Sequence, residues 1–141
     1  MRIYYIFDIN NEYLKLYKDN PSTLYNILNQ VYYMKNNDIV YGYSLYSQII
    51  KKVDKFYIDK YIFVAFHNKM KYTKRNDEHI INNLYKNEIS IMKVKHSHII
   101  INSNRDNTEF FDILYDINSN LFVCDFVNQD YFFISNLKML V

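Results

Sequence analysis

Few residues in this chain are of a type and spacing that could do chemistry. His96 and His98 stand two apart, and on an extended strand they would face the same way, as metal ligands do. A zinc site needs a third or fourth ligand, and no other Cys/His pair stands at metal spacing; at a hairpin turn even the shared face would be lost. Cys124 is the single cysteine and lies inside an apolar run, which suits a buried structural thiol better than a nucleophile. With one glycine in the chain there is neither a phosphate-cradling loop nor a nucleophile elbow. Asp8, Asp125 and Asp130 fall at strand ends or turns, where capping is the default role. The residues therefore predict no enzyme, no cofactor and no metal.

Composition narrows the classes further. Of 141 residues, 50% are hydrophobic and 18% aromatic, which is a folding profile and not a disordered one. The length suits one domain spanning residues 1–141 with its own core. One cysteine allows no internal disulfide, and the longest apolar run, Tyr61–Phe66, is far too short for a membrane span. The chain reads as cytoplasmic. Its net charge of +2 is weak for a nucleic-acid binder. The alternative nucleic-acid reading rests on Lys69, Lys71, Lys74 and Arg75, cations interleaved with Tyr72, and a solvated loop explains them equally simply.

Aromatic residues weigh differently. Ile3 to Ile9 reads as a strand, Asn10-Asn11 stops it, and Glu12 to Lys18 follows as a helix. There Tyr13 and Tyr17 share a face, with Leu14 and Leu16 on either side. Tyrosine brings large area, a polar tip and few torsions to a contact surface. The face either meets another protein or finishes the core beneath the sheet.

The remaining elements follow in order. Asn20-Pro21 starts a helix whose stripe is Leu24, Ile27, Leu28 and Val31, and Asn36-Asn37-Asp38 is read as the turn that ends it. Val40 to Tyr43 is a short extended piece or turn before a third helix from Ser44. Tyr46, Ile49, Ile50 and Val53 mark its inner face, with Ser47 and Gln48 outward. Phe56 to Phe66 reads as helix, although Ile62 to Phe66 would also suit a strand. Asn68 to Asn87 shows no period beyond a short turn near His79. Ile89–Val94 and His98–Asn102 make a hairpin, Phe110, Phe111, Leu114 and Ile117 a helix, and Leu121–Phe126 with Tyr131–Ile134 a last hairpin. The order β-α-α-α-(α)-β-β-α-β-β predicts an α+β fold, a mixed or mostly antiparallel sheet carrying helices.

Taken together, the chain resembles the SirA family, the sporulation inhibitors of replication. The likeness is carried by the strand Tyr4-Tyr5-Ile6-Phe7 with Asn10–Tyr17 (NNEYLKLY), and by Phe110–Phe133 (FFDILYDINSNLFVCDFVNQDYFF), which holds a central Asp125-Phe126. The resemblance implies a protein partner, the N-terminal domain of the replication initiator DnaA, and inhibition by binding alone, with no direct nucleic-acid or membrane contact. It implies contacts at Tyr13, Leu14 and Tyr17 on the first helix. Phe is typical at the first of these positions, so Tyr13 departs from the pattern while keeping the ring. On the third helix the contact falls at Ser47 or Gln48; the family's Gln favours Gln48.

Overall fold

The first strand is the centre of the molecule. In the computed structural model, which describes residues 1–34 and 39–139, β1 (Arg2–Ile9) is followed by α1 (Asn11–Tyr17), α2 (Pro21–Tyr32) and α3 (Ile39–Ile49). Then come β2 (Ile50–Lys51), α4 (Lys55–Phe66), β3 (Tyr72–Arg75), β4 (Glu78–Asn83), β5 (Glu88–Val94) and β6 (Ile99–Ser103). The chain continues through α5 (Glu109–Ile117), β7 (Phe122–Asp125), β8 (Asp130–Phe133) and α6 (Ile134–Met139). Seven strands lie in the order β3-β4-β5-β6-β1-β7-β8, with the two-residue β2 pairing β1, and every pairing is antiparallel. The expected α+β class is the one observed.

Side chains of a strand alternate between faces, and β1 divides its residues between two cores. Tyr4 and Ile6 join Ile58, Ile62 and Phe66 of α4 and Phe110, Phe111 and Leu114 of α5. Phe7 and Ile9 join Leu24, Tyr25 and Leu28 of α2, Ile49 of α3, and Phe122 and Cys124 of β7. Helices α1–α3 thus cover one face of the sheet and α4–α5 the other. Burial pushes the Cys124 thiol well above its usual value, as an inert core cysteine requires.

Several expectations need correction. Gly42 lies within α3, which starts at Ile39, so Val40 to Tyr43 is helical and neither an extended piece nor a turn. The thioether of Met34 occupies the room a Cβ on Gly42 would need, which accounts for a glycine in that helix. At its other end α3 stops at Ile49. Ile50 is buried as part of β2, and Val53 reaches the opposite core, its N–H donating to the His96 carbonyl at 2.7 Å. Lys52 to Asp54 is where the chain passes from one face of the sheet to the other.

The segment after Asn68 holds the hairpin β3–β4 where no period was legible. Its inward positions on β4 are His79, Ile81 and Asn83, so two of three are polar and the alternation vanishes from a hydrophobic pattern. Asn76 turns it with φ 55°, a conformation asparagine tolerates. Ile134 opens α6 and does not finish the last strand. The turn expected at Asn36-Asn37-Asp38 lies outside the described residues.

Candidate partner-binding face

Asparagine at the end of β1 arranges the candidate site. Asn10 stands at the N-cap of α1, yet its side chain makes no bond to that helix. Its backbone N–H donates to the Ile49 carbonyl at 2.7 Å, and its Nδ2 donates to the Gln48 carbonyl at 2.6 Å. Those carbonyls belong to the last turn of α3, where no intrahelical donor is left for them. One residue therefore satisfies the end of α3 while its own carbonyl accepts from Leu14 N–H at 2.8 Å to start α1. The pairing Asp8↔Lys51 and Ile9↔Ile50 extends the same junction, and Lys51 Nζ adds a bond to Asn11 Oδ1 at 3.2 Å. Asn20 is similar: it sits at the α2 N-cap, but its Oδ1 accepts from Ser22 Oγ and not from the helix backbone.

This junction brings the predicted contact residues of α1 and α3 to one side of the sheet. No residue of α1 is fully buried. Tyr13 and Tyr17 stack in parallel, ring centres 6.4 Å apart and planes 17° from coincident, as the four-residue spacing leads one to expect. Both rings and Leu14 are half-buried, resting on the α2 side of the core. The tyrosines seat on the core and keep an edge in solvent. Leu16 is 67% exposed, so the second apolar edge of the helix is uncovered. Ser47 and Gln48 are both exposed, as expected, and the Ser47 hydroxyl donates back to the Ser44 carbonyl at 3.0 Å. Among the described residues only the backbone carbonyl of Gln48 is engaged.

The base of the face is rigid. Tyr46 packs its ring on Phe7 and donates its hydroxyl to the Ser97 carbonyl at 2.9 Å, which ties α3 to the β5–β6 turn. Burial pushes that hydroxyl up to about 12, so it remains a donor at any physiological pH. His98 lies against Tyr5 and Phe7, and its Nδ1 is 2.7 Å from Ser97 Oγ. Burial first, then Lys95, pull its pKa below the usual imidazole value. His96 and His98 therefore occupy a turn and its edge, in different surroundings, and share no ligand set. Among the described residues no group of three or more His, Cys, Asp or Glu is placed to hold a metal ion.

A buried constellation that hydrophobic patterning does not reveal lies on the other face. His79 Nε2 meets Asp59 Oδ1 at 2.7 Å, and His79 Nδ1 meets the Tyr72 hydroxyl at 2.7 Å. Burial depresses the His79 pKa more than Asp59 raises it, so the ring is neutral, donating to Asp59 and accepting from Tyr72. Burial would lift the Asp59 carboxyl, but hydrogen bonds from Lys55 and His79 outweigh it and hold the group below its usual value. The order Tyr-His-Asp has the look of a proton relay. Yet Tyr72 is buried, and burial raises its hydroxyl to about 12, so no nucleophile opens to solvent. The trio ties α4 to the β3–β4 hairpin.

The basic segment is divided among separate tasks. Lys71 pairs with Glu109, Lys69 lies over the Phe66 ring, and Lys74 and Arg75 fall on opposite faces of β3. Asp125 and Asp130 are engaged at the other end of the sheet, where Arg2 bridges Asp106, Asp125 and Asp130 at 2.7 to 3.0 Å. Burial alone would raise the Asp125 carboxyl; bonds from Asn128 and Arg2 bring it below its usual value. No helix among the described residues is long and apolar enough to cross a membrane.

No curated protein matches the chain. A family model described as "Sporulation inhibitor of replication protein SirA" matches residues 2–138, from the first strand to the last helix. The chain belongs to the SirA family of sporulation inhibitors of replication.

Proposed function

We propose that this protein inhibits the initiation of replication during sporulation by binding the N-terminal domain of the initiator DnaA in the cytoplasm, residues 1–141 acting as one folded unit. Tyr13, Leu14 and Tyr17 of α1 and Ser47 or Gln48 of α3 form the contact. The observation that supports this reading is the incompletely buried α1, with stacked tyrosines and an exposed Leu16, whose start is bonded through Asn10 to the end of α3. A face of this kind suits a protein partner: half-buried rings are held in place before binding, so little side-chain freedom is lost on association. Inhibition then needs no reaction, because an occupied DnaA domain is withheld from its other contacts.

Calorimetric titration with the host's DnaA N-terminal domain tests the reading. Saturable one-to-one binding is expected, and Tyr17→Ala should weaken it by about 2 kcal/mol or more if that ring is a hot spot. Gln48→Ala and Ser47→Ala, measured side by side, decide which of the two reaches the partner. Absence of both heat and co-elution would remove DnaA as the partner. A Tyr17→Ala variant that binds like the parent protein would move the contact away from α1.

A further inference from the structure

Helix α4 carries apolar residues on its exposed side as well as on its buried one. Ile58, Ile62 and Phe66 recur every fourth residue and are buried against the sheet. Around the rest of the helix Phe56 is 80% exposed, and Tyr57, Phe63 and Val64 also stand in solvent. Single exposed apolar residues are ordinary, whereas four on one 12-residue helix make the kind of patch that interaction sites show.

Beside the Phe56 and Phe63 flank runs a groove of about 640 Å³, lined also by Lys60, Lys74, His96 and the Lys55–Asp59 pair. Its one carboxylate is already committed, with Lys55 Nζ at 2.8 Å and His79 Nε2 at 2.7 Å. Its other cations are not. Lys60 has no ion-pair partner among the described residues, and Lys74 donates only to the Asn76 carbonyl at 3.2 Å. His96 also lines a second groove, of about 350 Å³, with Ser47, Lys51 and Lys52, so the positive lining continues round the sheet edge.

We propose that the α4 groove is a second docking surface, which takes an acidic segment of a protein partner, its apolar side chains against Phe56 and Phe63 and its carboxylates toward Lys60 and Lys74. Charge decides the occupant. Two copies of this chain meeting here would bring two positively lined grooves together. A nucleic-acid strand would find only Lys60 and Lys74 uncommitted among the groove's lysines, on a chain whose net charge is only +2. An acidic amphipathic segment satisfies both the rings and the lysines, the helix-in-groove mode of peptide recognition. Nothing in this depends on what α1 binds.

The test uses the whole protein and a fluorescein-labelled peptide in which Glu and Asp alternate with Leu and Phe at helical spacing. Its Lys-substituted counterpart and a single-stranded oligonucleotide serve as comparisons, read by fluorescence anisotropy. The acidic peptide should bind, and added salt should weaken it. Phe63→Ser and Lys60→Glu should each lower its affinity about tenfold or more, while Tyr17→Ala leaves it unchanged. Both altered residues reach solvent, so thermal melting should confirm intact folds; Lys60→Glu alone carries the test if Phe63→Ser does not fold. Equal binding of acidic and basic peptides, or indifference to both substitutions, overturns the proposal. So does oligonucleotide binding that Lys60→Glu abolishes, or a dimer in sedimentation that Phe63→Ser dissolves. Failure of DnaA to bind would leave the peptide result standing.

Discussion

Asn10 serves two helices, one through its side chain and one through its backbone. Its Nδ2 closes the end of α3, and its backbone starts α1, so the start of one helix is fixed to the end of the other. Asn10→Ala should therefore cost about 1 kcal/mol of stability, the usual worth of one hydrogen bond, visible as a lower urea midpoint with unchanged slope. It should also weaken binding to the DnaA domain although Asn10 lies outside the contact set. An unchanged midpoint would mean that water replaces the amide at no cost. The shared side of Tyr13 and Tyr17 was legible from their four-residue spacing, and the exposure of Ser47 and Gln48 from the apolar positions that flank them; their contact role is what the family resemblance implies. The junction between their helices was not legible. It depends on a bond between Asn10 and Gln48, 38 residues apart, and asparagine at the end of a strand carries no mark of where its amide points.

At the level of elements, hydrophobic spacing located α2, α4 and α5, whose apolar stripes line the inside. For α4, Ile58, Ile62 and Phe66 settle on a helical period, even though Ile62 to Phe66 alone reads equally well as a strand. The β3–β4 hairpin escaped because β4 turns His79 and Asn83 inward, and a polar residue that is satisfied in the core looks like a surface residue in sequence. That choice has a pH signature. The His79 pKa in the fold lies below the ordinary 6.5, so on acidification the unfolded chain takes up a proton that the folded one resists. The depressed Asp59 carboxyl works in the same sense at lower pH. Stability is thus fully present above about pH 6.5 and is lost as pH falls. Melting temperature should drop between about pH 7.5 and about pH 5, and His79→Gln should flatten part of that slope. An unaltered slope in the variant would assign the effect to His98, which burial also depresses.

In the whole molecule, β1 separates two cores, while α1 has no fully buried residue. Native-state amide exchange should accordingly be slowest in β1, β6 and β7 and fastest among the helices in α1, an order checked by mass spectrometry after proteolysis. Equal protection of α1 and β1 would contradict it. The helices of the contact face all lie before residue 50, but the strand they rest on is held by partners made much later: Arg2 pairs with Ser103, and its guanidinium meets Asp125, 123 residues on. A ribosome that has released only the first hundred residues has therefore made every side chain proposed to touch DnaA, and not yet the sheet that supports them. Such long-range pairing folds slowly, and a fragment broken off early in synthesis carries the contact sequence without the contact surface. Activity then appears only once β7 is translated, so interrupted translation yields no partial inhibitor.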